Sequence, residues 1–138
     1  MHRNDLRRLS RIRIREARLL LRSGAVQGAY YLGGYAVECA LKACIARQFQ
    51  LHELPDKALV NEVYTHDLDK LLGLAGLRPM LKREAATHPL LQTNWDVVKD
   101  WKETARYNPT ITAKEARDLY SACTARRFGV MAWLRNQW

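Results

Sequence analysis

Over residues 4–23 the apolar positions recur with a helical period. Leu6, Leu9, Ile14, Ala17, Leu20 and Leu21 share one face, and Arg7, Arg8, Arg11, Arg15, Arg18 and Arg22 crowd another. The pattern predicts an amphipathic first helix. Ser23-Gly24 closes it, because glycine supplies the left-handed position of a C-terminal cap. Arg13 falls on the apolar side, where it needs a carboxylate or a subunit boundary. Ile12 and Leu19 form a narrower second apolar stripe, which suggests contact with a second surface.

A second helix is predicted from about Ala25 to Phe49, and its character differs. The stretch Gly28–Lys42, GAYYLGGYAVECALK, is apolar nearly all round. Such a helix belongs in the middle of a core. Gly28, Gly33 and Gly34 each lower helicity by about 1 kcal/mol, so close packing against a neighbour must offset them. Gly33, Gly34, Ala36 and Ala40 would permit that approach. Glu38 and Lys42 lie one turn apart in this apolar setting. They either stabilise each other along the helix or mark a site, since a buried charge needs a partner.

Residues 50–64 read as a linker around Pro55, with weak helical character at Lys57–Val63. Thr65 starts a short helix, His66–Leu74, with Asp67 and Asp69 in its first turn, where the helix dipole favours acids. Another short helix covers Pro79–Ala86. Thr87 caps a longer one with Pro89 near its first position. It directs Leu90, Leu91, Trp95, Val98 and Trp101 to the core and ends near Ala105. Arg106-Tyr107-Asn108-Pro109 is a turn. Thr112 and Glu115 form a capping box that opens the last helix, Ala113–Asn136. No period-two alternation predicts a strand. The fold class is therefore all-α: an antiparallel four-to-five-helix up-and-down bundle, in a single domain spanning 1–138.

Composition narrows the functional classes. Hydrophobic residues make up 48% of the chain, which argues against disorder. No uncharged apolar run is long enough to span a bilayer, so no membrane role is expected. The charged start lacks the apolar segment of a secretory signal. Its Arg-rich character is transit-peptide-like, but the helical pattern runs straight into the domain; a cytoplasmic location is expected. Cys39, Cys44 and Cys123 read as small buried hydrophobes. His2, His52, His66 and His88 are scattered, so no metal site and no cofactor are expected. Formal charge is +9, and residues 1–23 alone supply +6. A basic face this concentrated attracts phosphate polyanions.

The segment Ala29–Ala43, AYYLGGYAVECALKA, resembles helix two of the HEPN family of helical bundle domains. A preceding helix that ends in LLRSG agrees with that resemblance. So do His66-Asp67-Leu68 with Leu71-Leu72, the Trp95 and Trp101 positions, Arg106-Tyr107 and a long last helix. The resemblance covers about residues 10–135. It implies a four-to-five-helix bundle, usually a homodimer. Many members are ribonucleases whose signature is an Arg followed four to six residues later by a His. Others lack the His and act as RNA- or nucleotide-binding partners, some beside a nucleotidyltransferase in toxin–antitoxin modules. Glu38 and Lys42 match the helix-two pattern, although Ala43 stands where an Arg is usual. Arg106 matches the signature Arg. Tyr107 to Thr112 contain no His, and none follows His88.

A proton carrier near neutral pH is what metal-free RNA cleavage requires, and Arg106 alone supplies only a phosphate clamp. The leading expectation is thus a catalytically degenerate, dimeric RNA- or nucleotide-associated module. Arg7, Arg11, Arg15, Arg18 and Arg106 are its phosphate-binding candidates. Glu38, Lys42 and Arg106 are the candidate catalytic residues if activity persists. One alternative is an active metal-independent ribonuclease in which His66 or His88 reaches Arg106. The other is a purely structural interaction domain. The plain readings stand beside these: a helical Glu38–Lys42 pair, a C-terminal cation at Arg106, and His66 as an ordinary first-turn residue.

Overall fold

The computed structural model describes residues 2–51 and 57–138, and all regular structure among them is helical. Helix α1 spans Arg3–Arg22 and α2 spans Val26–Leu51. Short helices α3 (Lys57–Glu62), α4 (Leu68–Leu74) and α5 (Arg78–Thr87) make the crossover to α6 (Pro89–Lys99). A 3-10 turn, Glu103–Tyr107, leads to α7 (Ala113–Thr124) and α8 (Val130–Arg135). Pro55 lies outside the described residues.

Contacts fix the directions of the legs. Leu20 meets Gly28, and Ser10 Oγ donates to Ala36 O at 2.7 Å, so α1 and α2 run antiparallel. Gly34 meets Trp101 and Gly33 meets Leu119 at one end of the bundle. Cys44 contacts Leu134 O toward the other, so α7–α8 runs alongside α2 in the same sense. Asn94 Nδ2 donates to Phe128 O at 2.9 Å, beyond the end of α7, while Trp101, just past α6, reaches Gly34 next to the Gly33–Leu119 contact, so α6 runs antiparallel to α7. The expected up-and-down arrangement is present, with α1, α2, α6 and α7–α8 as its legs.

Helix α2 is the spine. It touches α1, α4, the 3-10 turn, α7 and α8. Six consecutive residues, Ala36–Leu41, are buried, so no face of this segment meets solvent. The glycines serve the close approach. A Cβ at Gly34 would lie 2.1 Å from the Trp101 ring, so the indole rests on bare backbone. Burial of side chains such as Leu41, Leu71 and Leu91 contributes roughly 2 kcal/mol each.

Several elements differ from expectation. The last helix is two helices. Ala125 is extended, Phe128 is left-handed at φ 63°, and a Cβ on Gly129 would sit 2.3 Å from Ala125 O. A tight reversal at Phe128-Gly129 therefore interrupts the apolar pattern that continues on both sides. Helix α6 stops at Lys99 because Trp101 must turn inward onto Gly34, and the Arg106 region is a 3-10 turn. Leu90 is 58% exposed; it sits about 100° round the helix from Leu91 and misses the core stripe of Leu91, Trp95 and Val98. Asp67 caps α4, while Thr65 Oγ1 accepts from the Asp67 N–H. His88, not Thr87, precedes α6. Arg13 finds its carboxylate in Glu16 and lies 5.9 Å from the centre of the Tyr35 ring.

Candidate functional site

Helix α2 carries Gln27, Tyr31, Tyr35, Glu38 and Lys42 along one stripe at spacings of three and four, which keeps them on one side. Tyr31 stacks against both Tyr35 and Trp101, with centroids 6.1 Å apart in each pair. The stripe thus runs under the start of α4 and the 3-10 turn.

Glu38 is 3% exposed and is nevertheless fully engaged. Its Oε2 accepts from Lys42 Nζ at 3.3 Å, and its Oε1 lies 2.9 Å from His66 Nδ1. The other ring nitrogen, His66 Nε2, lies 3.2 Å from Glu103 Oε2. Glu103 Oε1 is 3.3 Å from Arg106 Nη1. The result is a continuous chain of alternating basic and acidic side chains: Lys42, Glu38, His66, Glu103, Arg106. Arg106 also stands 4.7 Å over the Tyr107 ring, and Gln27 donates to its carbonyl at 3.4 Å. A pocket of about 330 Å³ opens beside His66 and Glu103, with Lys99 and Lys102 on its wall.

The three candidate catalytic residues therefore belong to one network, although Arg106 reaches Glu38 only through two intermediaries. Glu103 was not foreseen from the sequence, and His66 entered only as the acid/base of the ribonuclease alternative, its plain reading being a first-turn helix residue. His66 lies instead ahead of α4, in the gap between α2 and the turn. His88 is elsewhere, stacked on Phe128 at 4.4 Å. The two carboxylates approach opposite edges of one imidazole and do not face a common centre. No group of three or more His, Cys, Asp or Glu among the described residues is placed to hold a metal ion.

The basic face of α1 is divided. Arg11, Arg15 and Arg18 line a groove of about 620 Å³ against α7 and α8, where Arg126 and Arg135 join them. Its floor includes Ile14, Cys123 and Met131, and no acidic residue lines it. Five guanidiniums without a carboxylate repel one another and favour a polyanion. Arg7 is half-buried and lies 5.4 Å from the Trp138 ring centre, so it is committed to packing. Arg11 also covers that ring, at 4.9 Å, while reaching the groove. Arg106 lines none of the groove. Arg126 and Arg135 were not foreseen, because Arg126 lies within the unexpected break in the last helix and Arg135 on the helix beyond it.

An apolar pocket of about 320 Å³ lies on the other side of the Glu38–Lys42 pair, between α1, α2 and the end of α3. No helix among the described residues is long and apolar enough to cross a membrane. The chain matches no protein-family profile, no curated protein and no solved structure.

Proposed function

We propose that the protein is a HEPN-like helical module that associates with RNA or nucleotides as a homodimer. In this reading it has no catalysis of its own and works in the cytoplasm beside a nucleotidyltransferase of a prokaryotic toxin–antitoxin system. The observation that supports phosphate binding is the arginine groove. Arg11, Arg15, Arg18, Arg126 and Arg135 converge from α1, the turn between α7 and α8, and α8 itself, with no acid lining the groove. Backbone phosphates are the ligands such a surface recognises without sequence preference. Labelled RNA retained by the protein, with affinity falling steeply as salt rises, is the expected result. Retention that survives the combined Arg11→Ala, Arg15→Ala and Arg18→Ala change removes the groove from the reading. Sedimentation at micromolar concentration tests the dimer.

A second reading, an active metal-independent ribonuclease, gains support from one contact. Glu103 joins His66 to Arg106, so a proton carrier and a phosphate clamp share a carboxylate. The imidazole is oriented by buried Glu38, as general acid–base groups commonly are. A dinucleoside monophosphate substrate tests cleavage without needing the groove. Turnover lost in both His66→Asn and Arg106→Ala is expected on this reading. Equal turnover by all three proteins, or none by the wild type, eliminates it.

A further inference from the structure

His66 sits where three segments meet, and both of its ring nitrogens are occupied by carboxylate oxygens at 2.9 and 3.2 Å. A neutral imidazole has one donor and one acceptor, whereas an ionised carboxylate only accepts. Both contacts are hydrogen bonds only when each ring nitrogen carries a proton. We propose that His66 is a proton-controlled latch that fastens the 3-10 turn Glu103–Tyr107 to the buried carboxylate of α2. This inference needs neither RNA binding nor cleavage to hold.

The geometry also decides which contact opens. Glu38 is buried, rigid on α2, and tied to Lys42. Glu103 is 26% exposed on a short turn, and it has Arg106 as a second partner. When the ring loses a proton, the remaining N–H stays with Glu38, where an unpartnered buried carboxylate is costlier. Nε2 then presents a lone pair to Glu103, which is repelled toward Arg106. The latch is closed while both ring nitrogens carry a proton and opens when rising pH removes one of them.

The other charged groups around the ring are accounted for. From α2 they are Glu38 and Lys42, from the cap of α4 Asp67, and from the turn Glu103 and Arg106. From the end of α6 and the segment after it, Lys99, Asp100 and Lys102 line the same pocket. Asp67 is committed to the Lys70 N–H, which leaves Glu103 as the partner free to exchange. Besides its own backbone bonds and the buried Trp101 and Ala105, the turn is tied across the chain by Gln27, by His66 and by a side-chain hydrogen bond between Arg106 and Tyr31. Loss of the His66 tie removes one of these few polar links.

Hydrogen–deuterium exchange of the segment 101–108 tests the proposal, corrected for intrinsic pH dependence and referenced to α2. Protection is expected to fall roughly two- to tenfold as pH rises and the ring loses a proton. In His66→Gln, whose amide does not titrate, that fall is expected to vanish. In Glu103→Gln, which keeps the ring and removes the repelled charge, it is expected to shrink. Nitrogen-15 spectra of the ring are expected to show both nitrogens protonated at the low-pH end. Wild-type protection that ignores pH overturns the latch, and so does an unchanged pH dependence in His66→Gln. If His66→Gln does not fold, full retention of the pH dependence in Glu103→Gln overturns it.

Discussion

Gly34 shows how a single missing side chain organises this molecule. The Trp101 indole occupies the place where a Cβ would be, 2.1 Å from ring atoms that have a buried core behind them. Gly34→Ala therefore forces ring and helix apart, and overpacking of this kind costs about 3 kcal/mol. Gly28 is the contrast. There a Cβ would meet only the end of half-buried Leu20, at 3.1 Å, and alanine gains about 1 kcal/mol of helix propensity. Urea unfolding is expected to give a much lower midpoint for Gly34→Ala and a nearly unchanged one for Gly28→Ala. The need for a close approach was legible from glycines in an apolar helix; the identity of the neighbour was not, because Trp101 lies far away in sequence. The same holds at the charged site. The Glu38–Lys42 spacing is a local signal, whereas His66 and Glu103 join that pair across chain separations that no helical period encodes. Cysteines behave as the sequence suggests. Burial pushes the thiols of Cys39, Cys44 and Cys123 up to about 12, with Glu38 adding to the rise at Cys39. A thiol reagent at pH 8 is expected to label none of them in the folded protein and all of them in denaturant, as read by mass. Since the unfolded thiols ionise first, from their ordinary 9.0, folded stability is expected to decline between pH 9 and about 12.

At the scale of elements, the cap of α7 was legible, whereas those of α4 and α6 were misplaced by one or two residues and the break after α7 was missed. Thr112 Oγ1 accepts from the Glu115 N–H at 3.1 Å, so Thr112 caps α7 where the sequence places it, although the Glu115 carboxylate takes the Thr112 hydroxyl instead of the backbone N–H that would complete the box. Thr112→Ala is expected to cost about 1 kcal/mol in unfolding free energy, because that N–H loses its partner at the first turn. Glu115→Ala is expected to cost less: its Oε1 also takes the Thr112 hydroxyl, but both groups are exposed. The break between α7 and α8 escaped the reading because apolar periodicity carries across it. Leu119, Cys123, Val130 and Leu134 are all buried, on two helices that share one core. Gly129 was the available signal, and Phe128 gave no warning because a non-glycine residue rarely takes φ of 63°. The early end of α6 has a similar origin. Trp95 and Trp101 both belong to the core, but six positions is not a repeat of one helical face. The chain leaves the helix to bury the second indole, and the 3-10 turn that results carries Glu103 and Arg106 to α2.

On the scale of the whole molecule, the sign of the charge was legible and its geography only partly so. The arginines of α1 do not act as one stripe. Arg7 is drawn onto Trp138, while Arg11, Arg15 and Arg18 face a groove completed by Arg126 and Arg135. Each guanidinium that neutralises a phosphate of single-stranded RNA contributes about 0.7 to the slope of log affinity against log salt. Full engagement of the five groove arginines predicts a slope near −3.5, and removal of Arg15 alone should lower its magnitude by about 0.7. Arg106→Ala is expected to leave the slope unchanged, because Arg106 lines none of the groove and is already paired with Glu103. Arg7→Ala separates packing from binding. Its loss uncovers the Trp138 ring and should lower unfolding stability while the salt slope stays within error, since Arg7 is half-buried and lines none of the groove. A salt titration of these three variants against the wild type therefore locates the interface. A slope that falls equally for Arg7, Arg15 and Arg106 would mean that RNA reads only the net charge of +9, with no surface of its own.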